Sequence, residues 1–93
     1  MTGTTRSSAG LDVRRRKLLF HAWHRGTREM DLLLGRFADA HVGDLSDADL
    51  EAFEALMSVP DPDLYNWISG RADIPDNWNG AFLRRIIDFH EPS

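Results

Sequence analysis

The sequence predicts an all-α fold, a compact bundle of five short helices. Three observations carry this. Apolar residues recur at helical spacing through most of the chain. Strand signals are nearly absent, with no Val/Ile/Thr run alternating at period two and no Asn-Gly hairpin turn between apolar segments. Caps, glycines and prolines punctuate the pattern at short intervals, so successive helices join through short connections. Ninety-three residues, 42% of them hydrophobic, suit one core. Residues 1–10 read as a disordered tail and residues 11–91 as a single helical domain.

The first helix is expected from Leu11 to His24. Leu11, Leu18, Leu19, Ala22 and Trp23 face inward, and Arg14, Arg15, Arg16 and Lys17 form a wet rim. Gly26 then lets the backbone turn. The second helix starts at Thr27 or Arg28 and runs to His41. Its stripe is Met30, Leu33, Leu34, Phe37 and Ala38, and Val42-Gly43-Asp44 closes it. Ser46 caps the third helix, with Asp49 completing a capping box and Leu45 and Leu50 in staple positions. Its buried face is Leu50, Phe53, Leu56 and Met57, and Pro60 is expected to end it. The fourth helix has Asp61 as cap, Pro62 in its first position and Gly70 at its end, with Leu64, Trp67 and Ile68 as apolar residues. A loop from Arg71 to Gly80 leads to the fifth helix, Ala81 to His90. Burial is expected for Leu33, Leu34, Phe37, Phe53, Leu56, Trp67 and Ile86.

Composition excludes several functions. The absence of cysteine removes disulfides, thiol nucleophiles, iron–sulfur clusters and Cys-type zinc sites, and suits a reducing compartment. No apolar run approaches the ~18–20 residues that span a bilayer, so no direct membrane insertion is expected. The N-terminus lacks the apolar stretch of a secretory signal. Charge is unevenly spread. Residues 1–36 carry eight Lys/Arg against three Asp/Glu, a balance of +5, and residues 37–93 carry three against twelve, a balance of −9. A solvated helix face explains this, and so does a docking surface for an acidic partner. Nucleic acid is disfavoured, because the acidic remainder repels phosphate.

Catalytic chemistry finds no support. There is no phosphate loop and no GxGxxG after a strand. His21 and His24 stand at i, i+3, without an HExxH pattern or an evident third ligand, so surface histidines are the better reading. His41 and His90 lie in last turns, where an imidazolium suits the helix dipole. The aspartates beside Pro62 and Pro75 read as caps and turn formers.

What remains is the crowded junction before the second helix, RGTREMDLLLGRF, Arg25 to Phe37. Gly26 can turn the chain, Glu29 can complement the helix dipole and both arginines can be solvated. The alternative reading of the same residues is a recognition surface. Glycine lets a partner's backbone come close, arginine offers a planar fork, and Glu29 accepts from a partner's donor or holds Arg25.

This string closely resembles the RGxxE…DLLLGxF core of the succinate dehydrogenase flavinylation factors, called SdhE in bacteria and succinate dehydrogenase assembly factors in mitochondria. Upstream, RRRKLLFHAWHRG looks like the family's entry segment. Downstream, DLEAFEALMSVPDPDLYNWISGR is similar to its second half, so the resemblance covers about residues 11–90. Thr27 and Met30 depart from the family's usual Met and Leu, and Thr27 is the better helix cap. The resemblance implies an assembly factor and not an enzyme. It would bind the flavoprotein subunit of succinate dehydrogenase, with fumarate reductase as a further candidate client, and promote covalent FAD attachment. FAD then belongs to the partner, and no tightly bound cofactor or metal is expected here. The implied partner-binding residues are Arg25, Gly26 and Glu29, with Arg28 in a variable place of the motif and His24 and Arg16 from the upstream segment. Arg25, Gly26 and Glu29 are expected to lie exposed and close together, at or beside the junction of the first two helices. A monomer is expected when free, in the cytoplasm of a bacterium or in the matrix if the source is eukaryotic. The alternative from another class is an antitoxin-like interaction module for a different partner.

Overall fold

Helix α1 spans Val13–Trp23 and starts two residues later than its apolar pattern suggests. Asp12 takes the N-cap with extended backbone, but its carboxylate accepts from Arg15 Nη1 at 2.8 Å and not from the helix. The computed structural model describes residues 10–78 and 80–90. The expected tail, apart from Gly10, and residue 91 of the expected domain lie outside them.

Helix α2, Arg28–His41, is capped by Thr27, whose hydroxyl accepts the Met30 N–H at 3.3 Å. Glu29 and Asp31 occupy its first turn, where negative charge complements the dipole. A 3-10 turn, Val42–Asp44, closes it. Helix α3, Asp47–Leu56, opens with the Ser46 hydroxyl accepting the Asp49 N–H at 3.1 Å. It stops earlier than Pro60. Met57, Ser58 and Val59 each donate to the residue three back, at 3.1, 3.2 and 3.1 Å, and tighten the chain before the proline. Pro60 bars its predecessor from the helical region, so the last turn narrows instead of continuing.

Helix α4 spans Asp61–Ser69 and ends on Gly70 at φ +82. Pro60, not Asp61, holds its N-cap position, and no side chain caps it. Helix α5, Gly80–His90, completes five α-helices, with no strand among the described residues.

α1 lies along α2, and α5 packs on α2, α3 and α4. The radius of gyration is 12.5 Å, close to the ~13 Å expected of a compact domain this size. Phe37, Phe53 and Phe82 meet at the centre with ring centroids 5.5 to 5.7 Å apart. All three are fully buried, and among the described residues no buried polar or charged residue shares the core. Tilted and edge-on pairs of this kind add ~0.5–1.5 kcal/mol each beyond burial.

Gly35 sets the distance between α1 and α2. A Cβ there would enter the indole of Trp23, which lies across α2 and donates from Nε1 to Asp39 Oδ1 at 3.1 Å. The buried face of α2 is therefore Met30, Leu34, Gly35, Phe37 and Ala38, with Gly35 against Trp23 of α1. Leu33, expected inside, is only half-buried for this reason. Its carbonyl instead meets His90 Nε2 at 2.6 Å, which ties the end of α5 to α2. Trp67 is also half-buried, tilted against Trp78 of the following loop. Leu34, Phe37, Phe53, Leu56 and Ile86 are buried as expected.

Candidate functional site

The basic run of α1 divides in two. Arg14 makes a bidentate pair with Glu54 at 2.7 and 2.9 Å and joins α1 to α3. The hydrogen bond from Arg14 is the main cause that holds the Glu54 carboxyl below its ordinary value; burial opposes it, and the charge of Arg14 adds to it. Arg15 reaches the carbonyls of Val42 at 2.9 Å and Leu45 at 2.6 Å, capping the chain where α2 ends. These two are not the solvated rim that periodicity suggests. Arg16 and Lys17 point outward and pair with nothing among the described residues.

Beside them lies an apolar stripe of α1 that faces solvent. Val13 and Phe20 are 56% and 58% exposed. With Lys17 and His24 they stand at i, i+4, i+7 and i+11, one face of the helix. His24 stacks on Phe20 with centroids 3.9 Å apart, its Nδ1 at 2.7 Å from the Phe20 carbonyl. Sequence reasoning assigned Arg16 and His24 here but passed over Val13 and Phe20. Their signal was two apolar residues off the inward stripe.

At the end of α1 the motif also divides. Arg25 was expected to be exposed, yet its side chain retains only 10% of its accessible surface. Nε and Nη2 converge on Asp61 Oδ1 at 2.9 and 2.7 Å. Nη1 donates to the Met57 carbonyl at 2.8 Å and Nη2 to the Val59 carbonyl at 2.6 Å. The reason lies in the tightened end of α3. A helix C-terminus leaves carbonyls without partners, and a guanidinium there meets both the orphan oxygens and the dipole. The Arg25 backbone N–H donates to Asp31 Oδ1 at 2.6 Å, which braces the turn from the other side. Asp61, expected as a cap, serves as the counter-ion.

Gly26, Thr27, Arg28 and Glu29 remain exposed. Gly26 has φ +111, a conformation other residues adopt only with strain, and the direction of its missing Cβ is open space. Glu29 has no hydrogen bond or ion pair among the described residues. Between this corner and α4 lies a groove of ≈ 430 Å³ lined by Thr27, Glu29, Met30, Asp61, Pro62 and Tyr65. Asp31, Asp61, Pro62 and Tyr65 were not among the expected site residues. Asp61, Pro62 and Tyr65 come from the DPDLY segment, which lies more than 30 residues beyond the motif in sequence.

Residues 16–90 match the family model described as flavinator of succinate dehydrogenase. The chain belongs to this family. Among similar proteins, the FAD assembly factor SdhE of Acetobacter pasteurianus is 38% identical over 84% of this chain and 72% of its own. Succinate dehydrogenase assembly factor 2, mitochondrial, of Dictyostelium discoideum is 38% identical over 77% of this chain and 51% of its own. That of Meyerozyma guilliermondii is 34% identical over 92% and 62%. The chain thus spans little more than half the length of these mitochondrial relatives. No solved structure matches it significantly.

The flavinator family is one of assembly factors and not of enzymes. Among the described residues, no group of three or more His, Asp or Glu is placed to hold a metal ion, and no helix is long and apolar enough to cross a membrane.

Proposed function

We propose that this chain docks on the flavoprotein subunit of succinate dehydrogenase and holds it in an arrangement that favours covalent attachment of FAD. The bond-making chemistry stays with the flavoprotein and its FAD. The observation that carries this reading is the division of the motif. Arg25 is tied into the fold, and the rest, Gly26 to Glu29, is presented on a braced corner. A surface fixed before the partner arrives loses little conformational freedom on binding. Arg25 then acts on the partner through the corner it positions, while Gly26, Arg28 and Glu29 make contact.

The outward face of α1 extends the same surface. Phe20, stacked with His24, supplies apolar area, and Arg16 and Lys17 steer an acidic partner. Binding one conformation of the flavoprotein more tightly than others shifts its population toward that conformation, which is all the factor needs to do.

The test is co-purification of the flavoprotein with this chain, together with in-gel flavin fluorescence of the denatured flavoprotein in cells with and without it. Capture and a fall in covalent flavin on deletion are expected. Undiminished covalent flavin in the deletion strain overturns the reading.

A further inference from the structure

The groove beside the motif has a chemistry of its own. Its floor and walls are mainly apolar, from Met30, Pro62 and Tyr65. Its lining carries two carboxylates and no cation. One of them, Asp61, is already neutralised by Arg25 at 2.7 Å. The other, Glu29, stands free at the rim among the described residues. The Tyr65 ring already lies beneath a guanidinium, that of Arg71, 5.9 Å from its centroid. An apolar trough that ends on an unpaired carboxylate complements a long side chain with a methylene stem and a positive head. The outward direction at Gly26 is clear, so a partner's chain can come close enough to place such a side chain.

We propose that this groove receives a lysine or arginine side chain of the partner flavoprotein. Its stem lies on Pro62 and Tyr65, over the buried Met30, and its cationic head meets Glu29. The proposal rests on the docking reading above and adds the chemistry of the contact. The chain then offers two opposite charges to one partner, a basic edge on α1 and an acidic seat between α2 and α4. Two such contacts fix an orientation that either alone leaves free.

The experiment measures affinity of the full chain for the purified flavoprotein by calorimetry at low and high salt. Wild type, Glu29→Gln, Tyr65→Ala and Gly26→Arg are compared, each with a thermal melt. Gln keeps an acceptor and removes only the charge, and its exposed site leaves the fold intact. Glu29→Gln is expected to weaken binding about tenfold at low salt and to flatten the salt dependence. Tyr65→Ala is expected to weaken binding severalfold with the salt dependence retained, and its melt separates loss of the stem contact from loss of the packing that Tyr65 makes against the core. Wild-type affinity and salt dependence in Glu29→Gln, with binding lost in Gly26→Arg, overturn the groove and leave the docking reading standing. Absence of binding by the wild-type chain overturns both.

Discussion

The hairpin of α1 and α2 has an inner side and an outer side, and they treat the same residue types in opposite ways. On the inner side every large polar group is held. Arg14 meets Glu54, Arg15 meets two carbonyls, Trp23 meets Asp39 and Arg25 meets Asp61 with two carbonyls more. On the outer side Arg16, Lys17, Arg28 and Glu29 have no partner among the described residues, and His24 engages only its own helix. The basic run and the motif are each cut by this division. The lesson is that a charged motif can be half scaffold and half surface, and that loss of function on mutation does not by itself distinguish them.

The largest expected effect lies on the inner side. Arg25→Ala leaves the carbonyls of Met57 and Val59 and the carboxylate of Asp61 without their partner. It should cost about 2–4 kcal/mol, given that truncating one member of a largely buried charged network strands the others. Arg25→Lys should recover only part, because one ammonium cannot span three acceptors as a fork does. Urea denaturation reads this as a lower midpoint at unchanged slope. A loss below about 0.5 kcal/mol would place Arg25 on the outer side after all.

Next comes the distance between the helices. Gly35→Val drives a branched side chain into the Trp23 indole and strains its bond to Asp39. A loss of about 1–3 kcal/mol is expected, the usual range for overpacking. Covalent flavinylation at a temperature well below the melt should change little, since Gly35 touches nothing on the outer side.

The outer side responds differently. Gly26→Arg should abolish flavoprotein binding while costing only about 1–2 kcal/mol of backbone strain. In-gel flavin fluorescence reads the first and the melt reads the second. Normal flavinylation with the substitution in place removes Gly26 from the docking surface. Loss of fluorescence together with the fold makes it a turn former only.

Much of the fold is legible in the sequence because its signals are local. Thr27, Ser46 and Gly70 act within four residues of themselves, and each stands where the sequence places it. The roles of Arg25 and Asp61 are not legible in that way. They depend on each other across 36 positions, and each has a plausible local role, solvated charge or helix cap, that hides the long-range one. The misplaced Leu33 has a similar origin. A stripe at i, i+3, i+4 does not say which edge is inward, and here Gly35, too small to register as apolar, decided it. Phe20 and Val13 were visible as residues but not as a surface, since exposure depends on what the other helices leave uncovered.

The smallest effect sharpens the comparison from a third place, the exposed pair between α3 and α5. Asp49 meets Arg85 at 2.7 Å with its side chain 32% exposed. The hydrogen bond from Arg85 is the main cause that holds this carboxyl below its ordinary value of 3.8; partial burial opposes it, and the charge of Arg85 and bonds from Ser46 add to it. A carboxyl whose pKa is lower folded than unfolded stabilises the fold above the unfolded value. That contribution is lost as pH falls through the folded value. Asp49→Asn keeps the acceptor for Ser46 and removes the charge. At neutral pH it should cost about 0.2–1 kcal/mol, the range for a solvent-screened pair. The wild-type and variant melts should run parallel above about pH 5 and converge below about pH 4, where wild type also loses the charge. Asp12 and Glu54 are lowered in the same direction, but they are common to both proteins and cancel in the difference. Added salt should narrow the gap at neutral pH. A gap that survives unchanged into acid would show that Asp49 contributes through its cap geometry and not through its charge, and would place it with the held residues of the inner side.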